Sequence, residues 1–122
     1  MIRPILACRN PYQTADRLLS GGWELDFSNP PDSGDPLVGV SLLGNALLLG
    51  ITNGYVPENK LADIGCGVAF YLTVPQEQLE PIYQNHRCFN PSELKRQPWG
   101  DLAFEFQLEG FQFMIAGYRD KK

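Results

Sequence analysis

Histidine is almost missing from this 122-residue chain; it occurs once, at His86. Cysteine is sparse too, with Cys8, Cys66 and Cys88 far apart and no CxxC pair. A zinc site of imidazoles and thiolates needs closely spaced ligands, so this composition disfavours one. An odd, scattered set of thiols also speaks against a disulfide framework and for reduced cysteines in a cytoplasm. Basic charge is short as well: 10 Lys and Arg against 14 Asp and Glu leave a formal charge of −4. A nucleic-acid binder needs a basic face, so nucleic acid is not expected as a partner. Long apolar runs are absent. "LLGNALLLGI" is short and interrupted by glycine and asparagine, and "MIRPILACRN" lacks the apolar stretch of a signal peptide. The expectation is a cytoplasmic protein without a membrane partner.

What the chain does have is 43% apolar residues, distributed with a clear alternation. A single domain of this length buries roughly two thirds of its unfolded surface. "RPILACR" (3–9) reads as a strand, and "YQTADRLL" (12–19) puts Tyr12, Ala15, Leu18 and Leu19 on one helical face before the stop "SGG". "WELDF" (23–27) alternates as a half-buried strand does, and "SNPPDSGDP" is loop by composition. "LVGVSLL" and "ALLLGI" flank "GN" as a hairpin. Residues 52–65 form a connector. Then come a strand (67–74), a helix (77–86) with Pro81 in or just past its first turn, a weaker strand (92–97) and a last hairpin, 101–106 with 111–116, around "QLEG".

The order strand–helix–strand–strand–strand thus occurs twice. A shift of 66 carries Gly44 to Gly110, Val38 and Val40 to Phe104 and Phe106, and Leu47 and Leu49 to Phe113 and Ile115. The chain therefore reads as a single domain, 1–122, with module one at 1–51, the connector at 52–65 and module two at 66–122. Each βαβββ module leaves an apolar sheet face that needs a cover.

In the last hairpin, pairing Phe106 with Phe111 and Phe104 with Phe113 gives one wholly apolar face for the helix. The other face carries Asp101, Ala103, Glu105, Gln112, Met114 and Ala116. Alternation alone leaves two readings of that face, a solvated surface or the lining of a ligand site.

The paired modules, the opening "RPILACRNPYQTADRLLSGGWELDF", and the stretches "YVPENKLA" and "QPWGDLAFEFQLEGFQF" resemble the vicinal oxygen chelate superfamily. That superfamily includes glyoxalase I, extradiol dioxygenases and bleomycin-resistance proteins, and "QPWG" resembles the bleomycin-resistance branch. The resemblance implies an α+β fold of two βαβββ modules whose curved mixed sheets surround a cavity, and a homodimer. It also implies that the polar face lines that cavity.

Enzymes of the superfamily hold a divalent metal at four strand positions, which the resemblance places at Arg3, Leu48, Ala69 and Met114. Arginine, leucine and alanine do not ligate such a metal, and a lone thioether is a weak, soft ligand. No metal, cofactor or catalytic residue is therefore assigned. The expected ligand-binding residues are Trp99, Asp101, Glu105, Gln112, Met114, Tyr71, Arg3, Leu48 and Tyr55. Trp99 offers an indole for stacking on a planar ligand, while Trp23 reads as core. The implied function is sequestration of a cationic or aromatic, antibiotic-like small molecule. An enzyme of the same superfamily with a degenerate metal site, using Glu105 or Asp101 as a base, is the alternative. His86 is expected at a helix C-terminus as a favourable dipole partner, and the thiols as packing residues.

Overall fold

Two compact units divide the chain between Ile64 and Gly65. The computed structural model describes residues 2–52 and 56–118. The first unit contains β1 (Ile5–Cys8), α1 (Pro11–Ser20), β2 (Glu24–Ser28), β3 (Leu37–Leu42) and β4 (Asn45–Ile51), in the sheet order β1-β4-β3-β2. The second contains β5 (Ala69–Pro75), α2 (Gln76–Asn85), β6 (Lys95–Arg96), β7 (Leu102–Leu108) and β8 (Phe111–Tyr118), ordered β5-β8-β7-β6. In each sheet the first and last strands of the unit pair in parallel, and the remaining pairs are antiparallel. This is the doubled βαβββ, α+β architecture expected from the sequence.

Local chemistry explains the elements. The Asn10 side chain accepts hydrogen bonds from the Tyr12 and Gln13 amides, and Pro11 opens α1 where a missing N–H costs nothing. Gly22, at φ +97°, follows the helix and turns the chain into Trp23 and β2. The stripe of Thr14, Ala15 and Leu18 is buried. In the second unit α2 runs through Pro81, which lies inside the helix just past its first turn.

The repeat holds at the level of register. Ile5 faces Leu48 and Leu42 faces Asn45; 66 residues later, Tyr71 faces Met114 and Leu108 faces Phe111. Both hairpins use two-residue loops with positive φ at each central residue, Leu43–Gly44 and Glu109–Gly110. That is the geometry which matches strand twist. The first loop therefore sits one residue earlier than the "GN" expectation.

The final hairpin also corrects the expected pairing. Phe106 faces Phe113, and Phe104 faces Ile115, because Leu108 joins β7 instead of the turn. The slip is two residues, so every side chain keeps its face. The stacked rings of Phe106 and Phe113 lie 5.1 Å apart and 7° from parallel. With Phe104, Ile115, Leu72 and Val74 they pack under Leu79 and Ile82 of α2. Burying each such side chain stabilises the fold by about 1.5–3 kcal/mol.

His86 differs from its expectation. It is fully buried, its ring lies 5.2 Å from that of Phe106, and Nδ1 donates to the Ile82 carbonyl at 2.7 Å. Burial pushes its pKa below the usual imidazole value, so it packs as an aromatic rather than as a charged dipole partner. Cys8 is a core residue on the helix side of β1, as expected, but Cys66 and Cys88 are exposed. Among the described residues no helix is long and apolar enough to cross a membrane.

Candidate functional site

The "QPWG" stretch is a hairpin loop between β6 and β7, and its residue types follow from that. The Gly100 amide donates to the Gln97 carbonyl at 2.9 Å, and the Gln97 amide to the Asp101 carbonyl at 2.7 Å. This is the bonding of a three-residue loop whose last member is a glycine at positive φ, here Gly100 at +105°. Pro98 takes the first loop position, where its fixed φ suits a turn. Arg96 braces the loop by donating from Nη1 to the Gly100 carbonyl at 2.6 Å. The consequence is that Trp99 is held at the loop tip, 56% exposed.

Trp99 does not stand alone. Its Nε1–H donates to the Tyr71 hydroxyl at 3.1 Å, and that hydroxyl donates to Oδ2 of Asp101 at 2.8 Å. The two rings lie 6.2 Å apart and 57° from parallel. Partial burial raises the Tyr71 pKa, the bond to Asp101 raises it further, and the indole donor pulls it down. The phenol therefore stays protonated as the donor to Asp101. Together the three side chains make an aromatic corner beside a carboxylate, built from β5 and the β6–β7 loop.

The open face of this sheet continues from that corner. Met114 faces Tyr71 on one side and Glu105 on the other, and Gln112 faces Ala69 and Gln107. Gln112 Nε2 donates to Glu105 Oε2 at 3.1 Å, and Gln107 Nε2 donates to Gln112 Oε1 at 3.1 Å. Five of the expected ligand residues of module two thus share a face with Tyr71: Trp99, Asp101, Glu105, Gln112 and Met114. Gln107 belongs with them and was missed because the expected turn absorbed it. At the outer edge of β7 a pocket of about 430 Å³ is lined by Phe89, Asn90, Ser92, Glu105, Phe106, Gln107 and Gln112.

The remaining expected residues lie in the first unit. Leu48 is half-buried and faces Ile5 in β4, while Arg3 is exposed and precedes β1. Tyr55 lies outside the described residues. On the open face of the first sheet Ile5 and Ala46 stand at the positions equivalent to Tyr71 and Gln112, and Leu37 and Leu48 at those of Ala103 and Met114; Ser41, whose hydroxyl donates to Asp26 at 2.9 Å, stands at that of Gln107. The ring of Phe27 lies over Gly39; a Cβ there would come within 2.7 Å of its Cδ1.

No family profile matches the sequence, and neither does any curated protein. Solved structures do match in shape. A bleomycin resistance determinant encoded on the transposon Tn5 superposes with a TM-score of 0.66 at 12% identity, covering 96% of each chain. A glyoxalase/bleomycin resistance protein/dioxygenase superfamily member from Sphaerobacter thermophilus gives 0.64 at 20% identity, covering 97% of each. The fosfomycin resistance protein FosX from Listeria monocytogenes, in complex with Mn(II) and a dihydroxypropylphosphonic acid, gives 0.68 at 9% identity, covering 96% of this chain and 90% of that one.

A metal such as that Mn(II) can be tested against the donors present here. Of the four positions that the resemblance assigns, the second unit offers Ala69 and Met114 and the first Arg3 and Leu48, which supply no oxygen or imidazole donor. Among the described residues, no three His, Cys, Asp or Glu side chains stand close enough together to hold a metal ion. The donor set does not fit the group. In its paired sheets, its strand order and a superposition that covers nearly the whole chain, this protein has the glyoxalase/bleomycin-resistance fold.

Proposed function

We propose that this protein binds a small, planar, cationic molecule without metal chemistry, at the corner formed by Trp99, Tyr71 and Asp101. The hydrogen-bond relay from Trp99 through Tyr71 to Asp101 carries the reading. It locks two exposed aromatic rings at a fixed angle before any ligand arrives, and it sets a negative charge at their base. Preorganisation of this kind lowers the ordering cost of binding, and an aromatic face beside a carboxylate attracts an organic cation. Met114 supplies an adaptable apolar wall next to Tyr71. The fold relatives that resist bleomycin and fosfomycin support an antibiotic-like ligand, held by sequestration. The single-domain organisation (1–51, 52–65, 66–122), a homodimeric state and a cytoplasmic location belong to the same proposal. An enzyme with a displaced metal site is the competing reading, and the donor set above disfavours it.

The test is tryptophan fluorescence of the metal-stripped protein, titrated with metal-free bleomycin and then with a panel of cationic aromatic antibiotics. Trp23 is buried at 3% exposure and serves as an internal reference for Trp99. Saturable quenching that a Trp99→Ala variant loses is the expected result. A folded protein that ignores the whole panel, or that binds Mn(II) or Zn(II) tightly and stoichiometrically, would overturn the proposal.

A further inference from the structure

The second sheet carries another carboxylate on the same open face as the aromatic corner, and its surroundings are different. Glu105 is half-buried, and its carboxylate accepts one neutral hydrogen bond, from Gln112. Its backbone is secured separately: the Glu105 amide donates to Ser92 Oγ at 2.9 Å, and its carbonyl accepts from the Ser92 amide at 2.8 Å. Among the described residues no cationic side chain pairs with it. A partly desolvated carboxylate answered by a single amide retains a strong attraction for a cation.

The amides around Glu105 have a fixed sense. A carboxylate oxygen only accepts, so Gln112 must turn its NH2 toward Glu105 and its carbonyl toward Gln107. Gln107 must then give its own NH2 to Gln112. The chain therefore ends with the Gln107 carbonyl oxygen as a second acceptor. Glu105 and Gln107 both line the pocket of about 430 Å³ at the edge of β7, together with the largely buried rings of Phe89 and Phe106. A volume in this range suits a small-molecule group. A lining that combines side-chain acceptors with phenyl rings fits a primary alkylammonium, whose three N–H donors and methylene stem match the two kinds of group.

Position along the strand supplies the last element. Asp101 immediately precedes β7 and Glu105 lies within it, four residues on, so roughly 13 Å of strand separates them. We infer that Glu105, Gln107, Phe89 and Phe106 form a second subsite for a primary ammonium group, and that the ligand is an extended dication whose aromatic end occupies the Trp99–Tyr71–Asp101 corner. This rests on the function proposed above and adds the ligand's charge count and length.

The experiment compares N-(naphthylmethyl)-α,ω-diamines with propane, heptane and dodecane spacers against the monoamine N-methyl-naphthylmethylamine, reading quenching of Trp99. The heptane compound spans the two carboxylates and is expected to bind at least tenfold more tightly than the monoamine. The propane compound is too short to gain from the second charge. In a Glu105→Gln variant, whose amide oxygen still accepts from Gln112 and whose thermal melt checks its folding, the heptane advantage disappears. Asp101→Asn weakens every member of the series. If the monoamine quenches Trp99 but spacer length changes nothing, or if Glu105→Gln keeps the heptane advantage, the second subsite is refuted while the corner stands. If no member quenches Trp99, both readings fall together.

Discussion

Replacing Gly65 by alanine probes how the second unit secures the β7–β8 turn, on whose flanks Gln107 and Gln112 sit. Gly65 has φ +86°, and a Cβ there would press on the Gly110 carbonyl oxygen, lie 2.6 Å from the Gly110 carbonyl carbon and 3.0 Å from Phe111 Cα. All three are backbone atoms of the turn or of β8, so no rotamer change relieves the contact. Gly67, two residues on, has φ +78° but nothing within 4 Å of its Cβ position. The pair separates two effects. Positive φ costs an L-residue about 1–2 kcal/mol and applies to both variants. Overpacking against fixed atoms adds about 1–3 kcal/mol and applies to Gly65→Ala alone. The loss of unfolded-state entropy that accompanies any Gly→Ala change, about 0.4–1 kcal/mol in the opposite direction, is shared and cancels in the difference. Gly65→Ala should therefore lose about 1–4.5 kcal/mol and Gly67→Ala about 0–1.5, with Gly65→Ala the worse by about 1–3, against a total stability of about 5–15 kcal/mol for a domain. At about 4 °C per kcal/mol, the Gly65→Ala melt should fall about 4–12 °C below that of Gly67→Ala. Equal losses in the two variants, measured by urea unfolding with unchanged m-values, would show that Gly65 does not bear on the turn.

Three further outcomes are expected. Because burial lowers the His86 pKa, the folded state favours the neutral ring; stability is fully present above the unfolded value near 6.5 and falls as pH drops below it. The urea midpoint should decline from pH 7.5 to 5, and a His86→Gln variant should show a shallower decline; equal slopes contradict the assignment. Tyr71→Phe removes the acceptor of Trp99 Nε1–H and the donor to Asp101 in one step. At this exposed position it should change stability by less than about 1 kcal/mol, yet shift Trp99 emission and weaken aromatic cations by about five- to tenfold. Asn10→Ala removes the cap that receives the Tyr12 and Gln13 amides and should cost about 1 kcal/mol in a thermal melt, whereas Asn10→Asp should cost little.

The faces of the last hairpin were legible from alternation because period two survives any even slip. Phe104, Phe106 and Phe113 went to the core, and Glu105 and Met114 to the open side, although the actual register differs by two residues. Register itself was not legible, since it depends on whether Leu108 prefers burial in β7 to a place in the turn. That error concealed Gln107. The aromatic corner was only half visible: "QPWG" announced a turn bearing Trp99, but its link to Tyr71 spans 28 residues and exists because β5 lies parallel to β8. No local pattern encodes that pairing. The pocket at Phe89, Asn90 and Ser92 was missed for a similar reason, because Phe89 and Asn90 fall between the expected helix and the weak strand that Ser92 begins. His86 misled because a histidine at a helix end suggests solvent, while here the next turn folds Phe89 over it.

The contrast between the two open sheet faces bears on stoichiometry. The position 66 residues before Glu105 is Gly39, and there the ring of Phe27 fills the space that an acidic side chain would need. The position equivalent to Tyr71 is Ile5, which has no hydroxyl to join an indole to a carboxylate. A duplicated backbone would otherwise suggest two equivalent sites in each chain. The side chains have broken that symmetry, so a saturation curve should plateau at a single equivalent of ligand per polypeptide, with the first half of the chain silent in the titration.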